Sequence, residues 1–403
     1  MASVDLAELM RWAAEKGVAD IFIKADAPPC VKLHGKMVRV TQTPLTPEET
    51  KSMAALLMTE DQMVTFEHEK EMDLGFTLPG VCRFRVNIFQ QRGTVSIVMR
   101  IIMFKIRTIE ELGLPASIAE LTRHRQGFVL VTGPTGSGKS TTLAAMLDLI
   151  NREKAGHIVT MEDPIEYIHP DKSSIVNQRE IHQDTMSFTN ALRAVLREAP
   201  DVILVGELRD ADTFDVCLKA AETGHLVFST VHTQSAAETI RRILNMFPPE
   251  ARMEVCLRLA RSLKGIVAQT LVPRSDIPGR LVAPEILVVT PTVEQFIEEG
   301  KTGEIYGAIK EGALTWGMQT MNMGLGQYYR EGKITQETAL SYAGNRTEMK
   351  HMLRQVDADK EKEAQAAMAQ TLAARQPGAA RPGARPVGPP PPGAPMPPPQ
   401  PPR

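Results

Sequence analysis

Cysteine is scarce in this 403-residue sequence, and the few cysteines lie far apart. No two of them form a Cys-x-x-Cys pair, and their spacing suggests neither a zinc site nor a disulfide framework. We therefore expect reduced thiols in a cytoplasm. The four cysteines are Cys30, Cys82, Cys217 and Cys256.

Long apolar runs and a strong charge of either sign are also missing. The most apolar run, "VSIVMRIIMF", is short and contains Arg100, whereas a membrane-spanning helix needs about 20 apolar residues. The N-terminus lacks the basic-then-apolar pattern of a signal peptide. The formal net charge of −2 gives no general attraction to nucleic acid or to an anionic membrane. We expect a cytoplasmic protein with no nucleic-acid partner and no direct membrane insertion, which reaches a membrane only through a partner.

The sequence pattern divides the chain into two folded domains, a linker and a tail. The first part mixes helical spacing with alternating strand-like runs, and the second alternates buried strands with helices. Thr108 and Glu111 suit a capping box, so the linker is predicted to run into a helix at Thr108. From Gln376 the chain has no acidic residue and is rich in Pro, Gly and Ala, which predicts disorder. The predicted boundaries are 1–100 for an α+β domain, 101–112 for the linker, 113–355 for an α/β domain, and 356–403 for a charged, Ala-rich and then Pro-rich tail.

The most specific motif is "GPTGSGKST", which matches Gly-x-x-x-x-Gly-Lys-Ser/Thr in full. It follows a buried-strand pattern, "FVLVTG", and opens an apolar helix, "TTLAAMLDLI", which is the context of a nucleotide phosphate pocket. Lys139 is expected to reach the outer phosphates of ATP, and the Ser140 hydroxyl to bind Mg²⁺. The predicted nucleotide-binding residues of this motif are Gly133, Pro134, Thr135, Gly136, Ser137, Gly138, Lys139, Ser140 and Thr141.

Three further predicted strands end in polar side chains. "HIVTM" precedes Glu162 and Asp163. "DVILVGE" ends in Glu207, and "HLVFSTVH" ends in His232. Helical patterns separate these strands, so we expect a parallel sheet, whose ligands bind at the carboxyl ends of the strands. These side chains are therefore expected to face the phosphate pocket. The candidate ligands of Mg²⁺ are Ser140, Glu162, Asp163 and Glu207.

Strand length separates residues that look alike. Asp201 begins the predicted strand that Glu207 ends, and at about 3.3 Å per residue the two lie roughly 20 Å apart, which excludes Asp201 from the Mg²⁺ site. His225 and His232 are separated in the same way, so only one can reach the γ-phosphate, and we assign that role to His232. His225 stays open between a structural role and a contact to a neighbouring subunit, and it is kept among the candidate nucleotide-binding residues.

Two carboxylates compete for the role of general base. Glu207 is the leading candidate for polarising the attacking water, because phosphoryl transfer depends on positioning the nucleophile beside a metal. Glu162 is the rival, and either carboxylate could hold Mg²⁺ through water while the other acts as base. With His232, these two make the predicted catalytic group.

Four motifs, in the same order and spacing, resemble those of the secretion and pilus ATPase superfamily. "GPTGSGKSTT", "TMEDPIEYIH", "PDVILVGELRD" and "AETGHLVFSTVHT" are similar to its Walker A motif, Asp box, atypical Walker B motif and His box. The resemblance covers residues 1 to about 355. The short N-terminal region and the missing zinc element resemble the type IV pilus retraction ATPases of the PilT/PilU family, and "LREAPDVILVGE" and "NQREIHQDT" are closer to the PilU branch.

This resemblance implies a PAS-like N-terminal domain, a RecA-like ATPase domain and a homo-hexameric ring that binds ATP between the two domains. Members of the family bring arginines from the N-terminal domain to the phosphates. The candidates in this sequence are Arg83, Arg85, Arg92 and Arg100.

Two functions within that family stay open. One is a motor that converts ATP hydrolysis into domain rotation and drives pilus retraction, and so twitching motility, through an inner-membrane platform protein. The other is a PilU-like accessory ring that acts with a PilT-type paralogue and hydrolyses little ATP alone. A nucleic-acid translocase on the same core is disfavoured, because the net charge is near zero and no dense basic stripe is present.

Overall fold

A computed structural model of the chain describes residues 4–33, 36–102 and 106–375. The chain forms two compact units that divide between Lys350 and His351. Among the described residues, no helix is long and apolar enough to cross a membrane.

The N-terminal part of the first unit is a six-stranded antiparallel sheet with three helices. The sheet has the strand order β3-β2-β1-β6-β5-β4. Asp5 caps the first helix, and a capping box of Thr46 and Glu49 begins the second. The elements are α1 (Leu6–Glu15), β1 (Asp20–Lys24), β2 (Cys30–Leu33), β3 (Lys36–Arg39), α2 (Pro47–Leu57), α3 (Glu60–Glu69), β4 (Glu71–Leu78), β5 (Cys82–Gln91) and β6 (Thr94–Ile102).

The rest of the first unit is an α/β domain around a seven-stranded sheet of order β13-β12-β7-β11-β10-β8-β9. All its neighbouring strands are parallel except the β12–β13 pair. The strands are β7 (Gly127–Thr132), β8 (His157–Glu162), β9 (Ile175–Glu180), β10 (Val202–Val205), β11 (Leu226–Val231), β12 (Leu263–Pro273) and β13 (Arg280–Val288).

Helices alternate with these strands and follow them along the chain, and two short 3₁₀ segments lie at Pro249–Ala251 and Thr302–Glu304. The first five helices are α4 (Ala116–Thr122), α5 (Lys139–Glu153), α6 (Phe188–Val195), α7 (Ala211–Glu222) and α8 (Ala236–Leu244). The next five are α9 (Arg252–Ser262), α10 (Pro291–Glu298), α11 (Ile305–Glu311), α12 (Ala313–Trp316) and α13 (Met321–Arg330). The last two are α14 (Gln336–Ser341) and α15 (Arg346–Arg375).

The predicted fold class is confirmed: an α+β domain precedes an α/β domain with a mainly parallel sheet. Every residue of the two central strands β7 and β11 is buried, because helices cover both faces of such a sheet. The helices predicted between the strands also form, and Ala191, Leu192 and Val195 of α6 are buried, as are Phe214 and Cys217 of α7.

Three local predictions differ from the structure. The strand before Glu207 is only four residues long, so Glu207 stands two residues beyond its end. β6 runs to Ile102, into the predicted linker, and residues 103–105 lie outside the described residues. The capping hydrogen bonds of Thr108 and Glu111 form, but they close a turn and not a helix.

The described part of the second unit, residues 351–375, is helical and belongs to α15. A solvated helix is compatible with its charged and Ala-rich composition. The predicted disordered stretch from residue 376 onward lies outside the described residues.

Candidate active site

The carboxyl ends of four neighbouring strands of the parallel sheet lie at one cavity of about 440 Å³. β7 leads into the phosphate loop, and next to it β11 leads to His232. β10 then leads to Glu207, and β8 ends at Glu162, followed by Asp163. Side chains far apart in the sequence therefore line a single cavity, because parallel strands all end at the same edge of a sheet.

The phosphate loop has a backbone that depends on glycine. Gly133, Gly136 and Gly138 have φ angles of +144°, +77° and +91°, which side chains other than glycine rarely adopt. A Cβ on Gly133 would also lie 2.3 Å from the carbonyl oxygen of Gln269. The loop then enters α5 at Lys139, and its amides and the start of the helix make a favourable place for phosphate.

Lys139 is hydrogen-bonded to the phosphate loop. Its Nζ donates to the carbonyl oxygens of Gly133 at 2.9 Å and Pro134 at 3.2 Å. Burial lowers the pKa of Lys139, although Glu207 and Glu166 oppose this by stabilising its charge. The ammonium group of Lys139 therefore lies at the loop, close to acidic residues.

Glu207 is held by two basic side chains at the cavity wall. Arg209 donates from Nε to Oε2 of Glu207 at 2.9 Å, and Nε2 of His232 lies 3.3 Å from Oε1. The Glu207 side chain is 23% exposed and the His232 side chain 43%, so both remain accessible from the cavity. The structure thus joins the predicted base and the predicted γ-phosphate sensor in one contact.

Glu162 lies deeper in the site. It accepts hydrogen bonds from Oγ1 of Thr160 at 2.6 Å and from Nε2 of Gln178 at 3.1 Å. Burial raises the pKa of Glu162 to about 7, and these two hydrogen bonds reduce the shift. Gln178 also donates to the carbonyl oxygen of Tyr167 at 2.8 Å, so it fixes both Glu162 and the loop that follows β8.

A buried histidine forms part of the cavity lining. His169 is 7% exposed, and its Nδ1 has no hydrogen-bond partner among the described residues. Burial lowers the pKa of His169 to about 4, so the imidazole is neutral at neutral pH. Nearby, the Tyr167 hydroxyl and Thr141 Oγ1 lie 2.7 Å apart, joining the loop after β8 to the first turn of α5.

The oxygen donors at this edge fit Mg²⁺. The cavity is lined by the Ser140 hydroxyl and by the carboxylates of Glu162, Asp163 and Glu207. Within the described ranges no cluster of three or more His, Cys, Asp or Glu side chains could hold a metal by itself. A site of this kind suits Mg²⁺, which usually takes one or two carboxylates, water and the substrate's phosphates rather than an all-protein cage.

Some predicted site residues do not line the cavity. Gly133, Pro134 and Ser137 belong to the loop but lie behind its lining. Asp201, which was predicted to lie outside the Mg²⁺ site, accepts a hydrogen bond from the backbone amide of His157 at 2.8 Å, at the amino end of the strands. His225 lies at that same end, with its Nδ1 2.9 Å from the carbonyl oxygen of Ala220.

The four candidate arginines also lie elsewhere in this structure. Arg83 pairs with Glu180 at 2.8 Å, and Arg100 pairs with Asp20 at 2.8 Å. Arg85 is exposed on β5, and Arg92 is exposed in the β5–β6 turn with a φ of +50°. None of the four lines the cavity.

Sequence reasoning missed several residues that shape the site. Gln269 of β12 is buried and donates to the carbonyl oxygen of Ser137 at 2.8 Å, which supports the phosphate loop from behind. Arg280 of β13 lines the cavity. Tyr167 lay within a quoted motif and could have been included, whereas no local pattern marks Gln269 or Arg280.

Comparisons with known proteins agree with this geometry. The family model "Type II/IV secretion system protein" matches residues 4–287. The chain is 45% identical to the type IV pilus retraction ATPase PilT of Pseudomonas aeruginosa, over 83% of this chain and 97% of that protein. It is 41% identical to the type IV pilus ATPase PilU of the same organism, over 87% and 92%. A crystal structure of the pilus retraction motor PilT with bound ADP has a TM-score of 0.81 and 43% identity, covering 86% of this chain and 99% of that chain.

Proposed function

The chain belongs to the type II/IV secretion system protein family, and within it to the pilus retraction ATPases of the PilT/PilU type; on this premise we propose that it is an ATP-hydrolysing motor for type IV pilus retraction. The proposal rests on one observation. At the carboxyl ends of four adjacent strands, one cavity is lined by the phosphate loop, His232, Glu207 and Glu162. A similar protein was solved with ADP, which supports a nucleotide in this cavity.

The side chains divide the work of hydrolysis. The loop amides and Lys139 bind the phosphates and neutralise their charge. Glu207 orients and polarises the attacking water, and His232, whose Nε2 lies 3.3 Å from Oε1 of Glu207, would contact the γ-phosphate. Glu162 is the second carboxylate at the same edge. Mg²⁺, held through Ser140 and these carboxylates, would neutralise charge that develops on the phosphates.

We propose a homo-hexameric ring in which six such sites work out of phase. Nucleotide would hold the two domains of each subunit closed, and hydrolysis and release would let them open. An arginine from the N-terminal domain would reach the phosphates in the closed state and stabilise transition-state charge. The exposed Arg85 and Arg92 are available for that role, and an inner-membrane platform protein would receive the motion.

Deletion of the gene tests the retraction function directly. We expect loss of twitching motility with surface pili retained, because assembled pili are no longer withdrawn. Loss of the pili themselves would overturn the proposal in favour of assembly. Complementation with the wild-type gene, but not with a Lys139→Ala allele, is the matched control.

A second function is favoured by particular residues. The stretch "TVEQFIEEGK" lacks the arginines found at that position in PilT-type proteins, and "LREAPDVILVGE" resembles the PilU branch. The alternative is an accessory ring that acts with a PilT-type paralogue. The identities of 45% to PilT over 83% of this chain and 41% to PilU over 87% favour neither function strongly. ATP hydrolysis measured with and without a PilT-type partner separates them: a motor turns over alone, and an accessory ring needs the partner.

A further inference from the structure

One buried ion pair joins the N-terminal domain to the α/β domain. Arg83 of β5 donates from NH2 to Oε2 of Glu180, at the end of β9, at 2.8 Å. Their side chains are 15% and 6% exposed. The two residues are 97 positions apart in the sequence. This contact is therefore tertiary and largely screened from water, which makes it stronger and costlier to break than a surface pair.

The N-terminal domain is shaped to hold this arginine. A Cβ on Gly75 of β4 would lie 2.1 Å from NH2 of Arg83 and 2.7 Å from Cζ, so the guanidinium occupies the space that a side chain at position 75 would fill. Oγ1 of Thr77 accepts from NH1 at 3.2 Å. Moving Arg83 away would leave Glu180 buried without its cation, which is unfavourable. Arg83 is thus poorly suited to travel to the phosphates.

Glu180 in turn touches the loop that carries the acidic site residues. Its Oε2, which accepts from Arg83, also accepts from the backbone amide of Ile165 at 3.3 Å. Ile165 is buried and stands two residues after Asp163. In the sheet, Glu180 is the direct neighbour of Glu162. One carboxylate oxygen therefore connects the N-terminal domain to the segment containing Glu162 and Asp163.

We infer that Arg83 and Glu180 are a positioning pair, which transmits the placement of the N-terminal domain to the loop after β8 and so to Glu162 and Asp163. Neither residue contacts the nucleotide in this role. The catalytic half of this inference, the effect on hydrolysis, rests on the proposed function. The structural half, the link from Arg83 through Glu180 to the Ile165 amide, does not. It gives domain closure a defined route to the catalytic carboxylates, through Arg83, Glu180 and the Ile165 amide.

The structural half is tested by hydrogen exchange at the Ile165 amide in the nucleotide-free full-length protein. Arg83→Gln removes the cation but leaves the carboxylate that accepts from Ile165. We expect exchange at Ile165 to rise about tenfold, a typical size for coupling between contacting residues. Gly75→Ala displaces the guanidinium without changing any charge, and it should give the same rise. Thermal melts confirm that each variant is folded.

The catalytic half is tested by a double-mutant cycle. Arg83→Gln and Glu180→Gln should each lower kcat about tenfold with KM for ATP within about twofold, and the double variant should be no worse than the poorer single one. Glu198→Gln is the matched control, because it breaks the neighbouring Arg179–Glu198 pair, which stays within the α/β domain. It should leave both measurements unchanged.

Several results would overturn the inference. Unchanged hydrogen exchange at Ile165 in both Arg83→Gln and Gly75→Ala would do so. So would a double variant whose loss of kcat equals the product of the two single-variant losses. A loss of ATP affinity in Arg83→Gln with wild-type behaviour of Glu180→Gln would place Arg83 on the phosphates instead. If the wild-type protein hydrolyses no ATP, the proposed function fails, while the exchange result still decides whether the pair positions the loop.

Discussion

The two edges of the parallel sheet carry similar side chains and use them differently. At the amino edge, the carboxylate of Asp201 accepts from the backbone amide of His157 at 2.8 Å. Lys154 donates to the carbonyl oxygens of Thr122 and His124 at 2.7 and 3.1 Å. These contacts join strand and helix ends to each other, so the polar side chains at this edge satisfy the backbone of the fold.

At the carboxyl edge the corresponding side chains line a cavity of about 440 Å³, twice the roughly 220 Å³ of the cavity beside Lys154, His157 and Asp201 at the amino edge. Lys139 donates to the carbonyl oxygens of Gly133 and Pro134, and Glu207 and His232 lie 3.3 Å apart at the cavity wall. The polar groups here converge from four strands on a space large enough for a ligand. The phosphate loop lies at the carboxyl edge, so we propose that the acids and bases at this edge serve the chemistry and those at the amino edge serve the fold.

Among the variants proposed here, lysine-to-alanine substitutions at the two edges should differ most in their effect on ATP hydrolysis. Lys139→Ala removes the cation of the phosphate site, and we expect kcat/KM for ATP to fall on the order of 10²–10³-fold. Lys154→Ala removes a cation of the same kind at the amino edge and should keep hydrolysis within about twofold, while lowering the melting temperature. Equal losses of hydrolysis in a steady-state assay would show that the edges are not functionally distinct.

The buried histidine of the carboxyl-edge cavity should make stability depend on pH. Burial holds the pKa of His169 at about 4, below its ordinary 6.5. Below pH 6.5 the unfolded chain therefore binds the proton more readily, and the free energy of unfolding falls as the pH drops towards 4. His169→Gln should reduce this loss by about 2 kcal/mol between pH 7 and pH 4.5. Denaturant titrations at both pH values measure it, and an unchanged loss would refute a neutral, buried imidazole.

Substituting the histidine beside Glu207 should have a smaller effect on hydrolysis, and it tests the same difference between the two edges. His232→Ala removes the side chain that we propose contacts the γ-phosphate, and we expect kcat to fall about tenfold, as for the loss of one hydrogen bond. His157→Ala at the amino edge is the partner variant and should leave kcat within about twofold. Stopped-flow phosphate release measures both. Wild-type turnover in His232→Ala would remove His232 from the site.

The smallest expected effect belongs to the amino-edge carboxylate. Asp201→Ala leaves the His157 amide without its acceptor, and the free energy of unfolding should fall by about 1 kcal/mol. Hydrolysis should stay within about twofold of wild type. A large loss of turnover, measured at a temperature where the variant is folded, would mean that Asp201 serves the chemistry after all.

Much of this arrangement follows from local sequence. The buried runs of β7 and β11 and the glycine-rich loop between β7 and α5 were predictable, because hydrophobic pattern and motif agree there. Placing Glu162, Glu207 and His232 at one edge required only the rule for parallel strands. The short β10 was less predictable, since the apolar run and Gly206 gave no sign of where backbone pairing stops.

The rest depends on contacts between distant parts of the chain. Gln269 supports Ser137 from 132 residues away, and Arg83 meets Glu180 across 97. Neither contact leaves a mark in the local pattern, because a single Gln or Arg on a strand is compatible with many partners. The pairing of Arg83 also depends on Gly75 of the neighbouring strand, because the missing side chain there makes room for the guanidinium.

The most direct test of the account is the fate of ATP bound to Glu207→Gln in a single-turnover quench experiment. The substitution keeps the shape of the side chain but removes the charge that we propose polarises the attacking water. We predict that ATP binds with affinity within about threefold of wild type and stays intact, with hydrolysis slowed at least about 100-fold. Conversion to ADP at the wild-type rate would contradict the central claim that Glu207, at the carboxyl edge of the sheet, drives the hydrolysis.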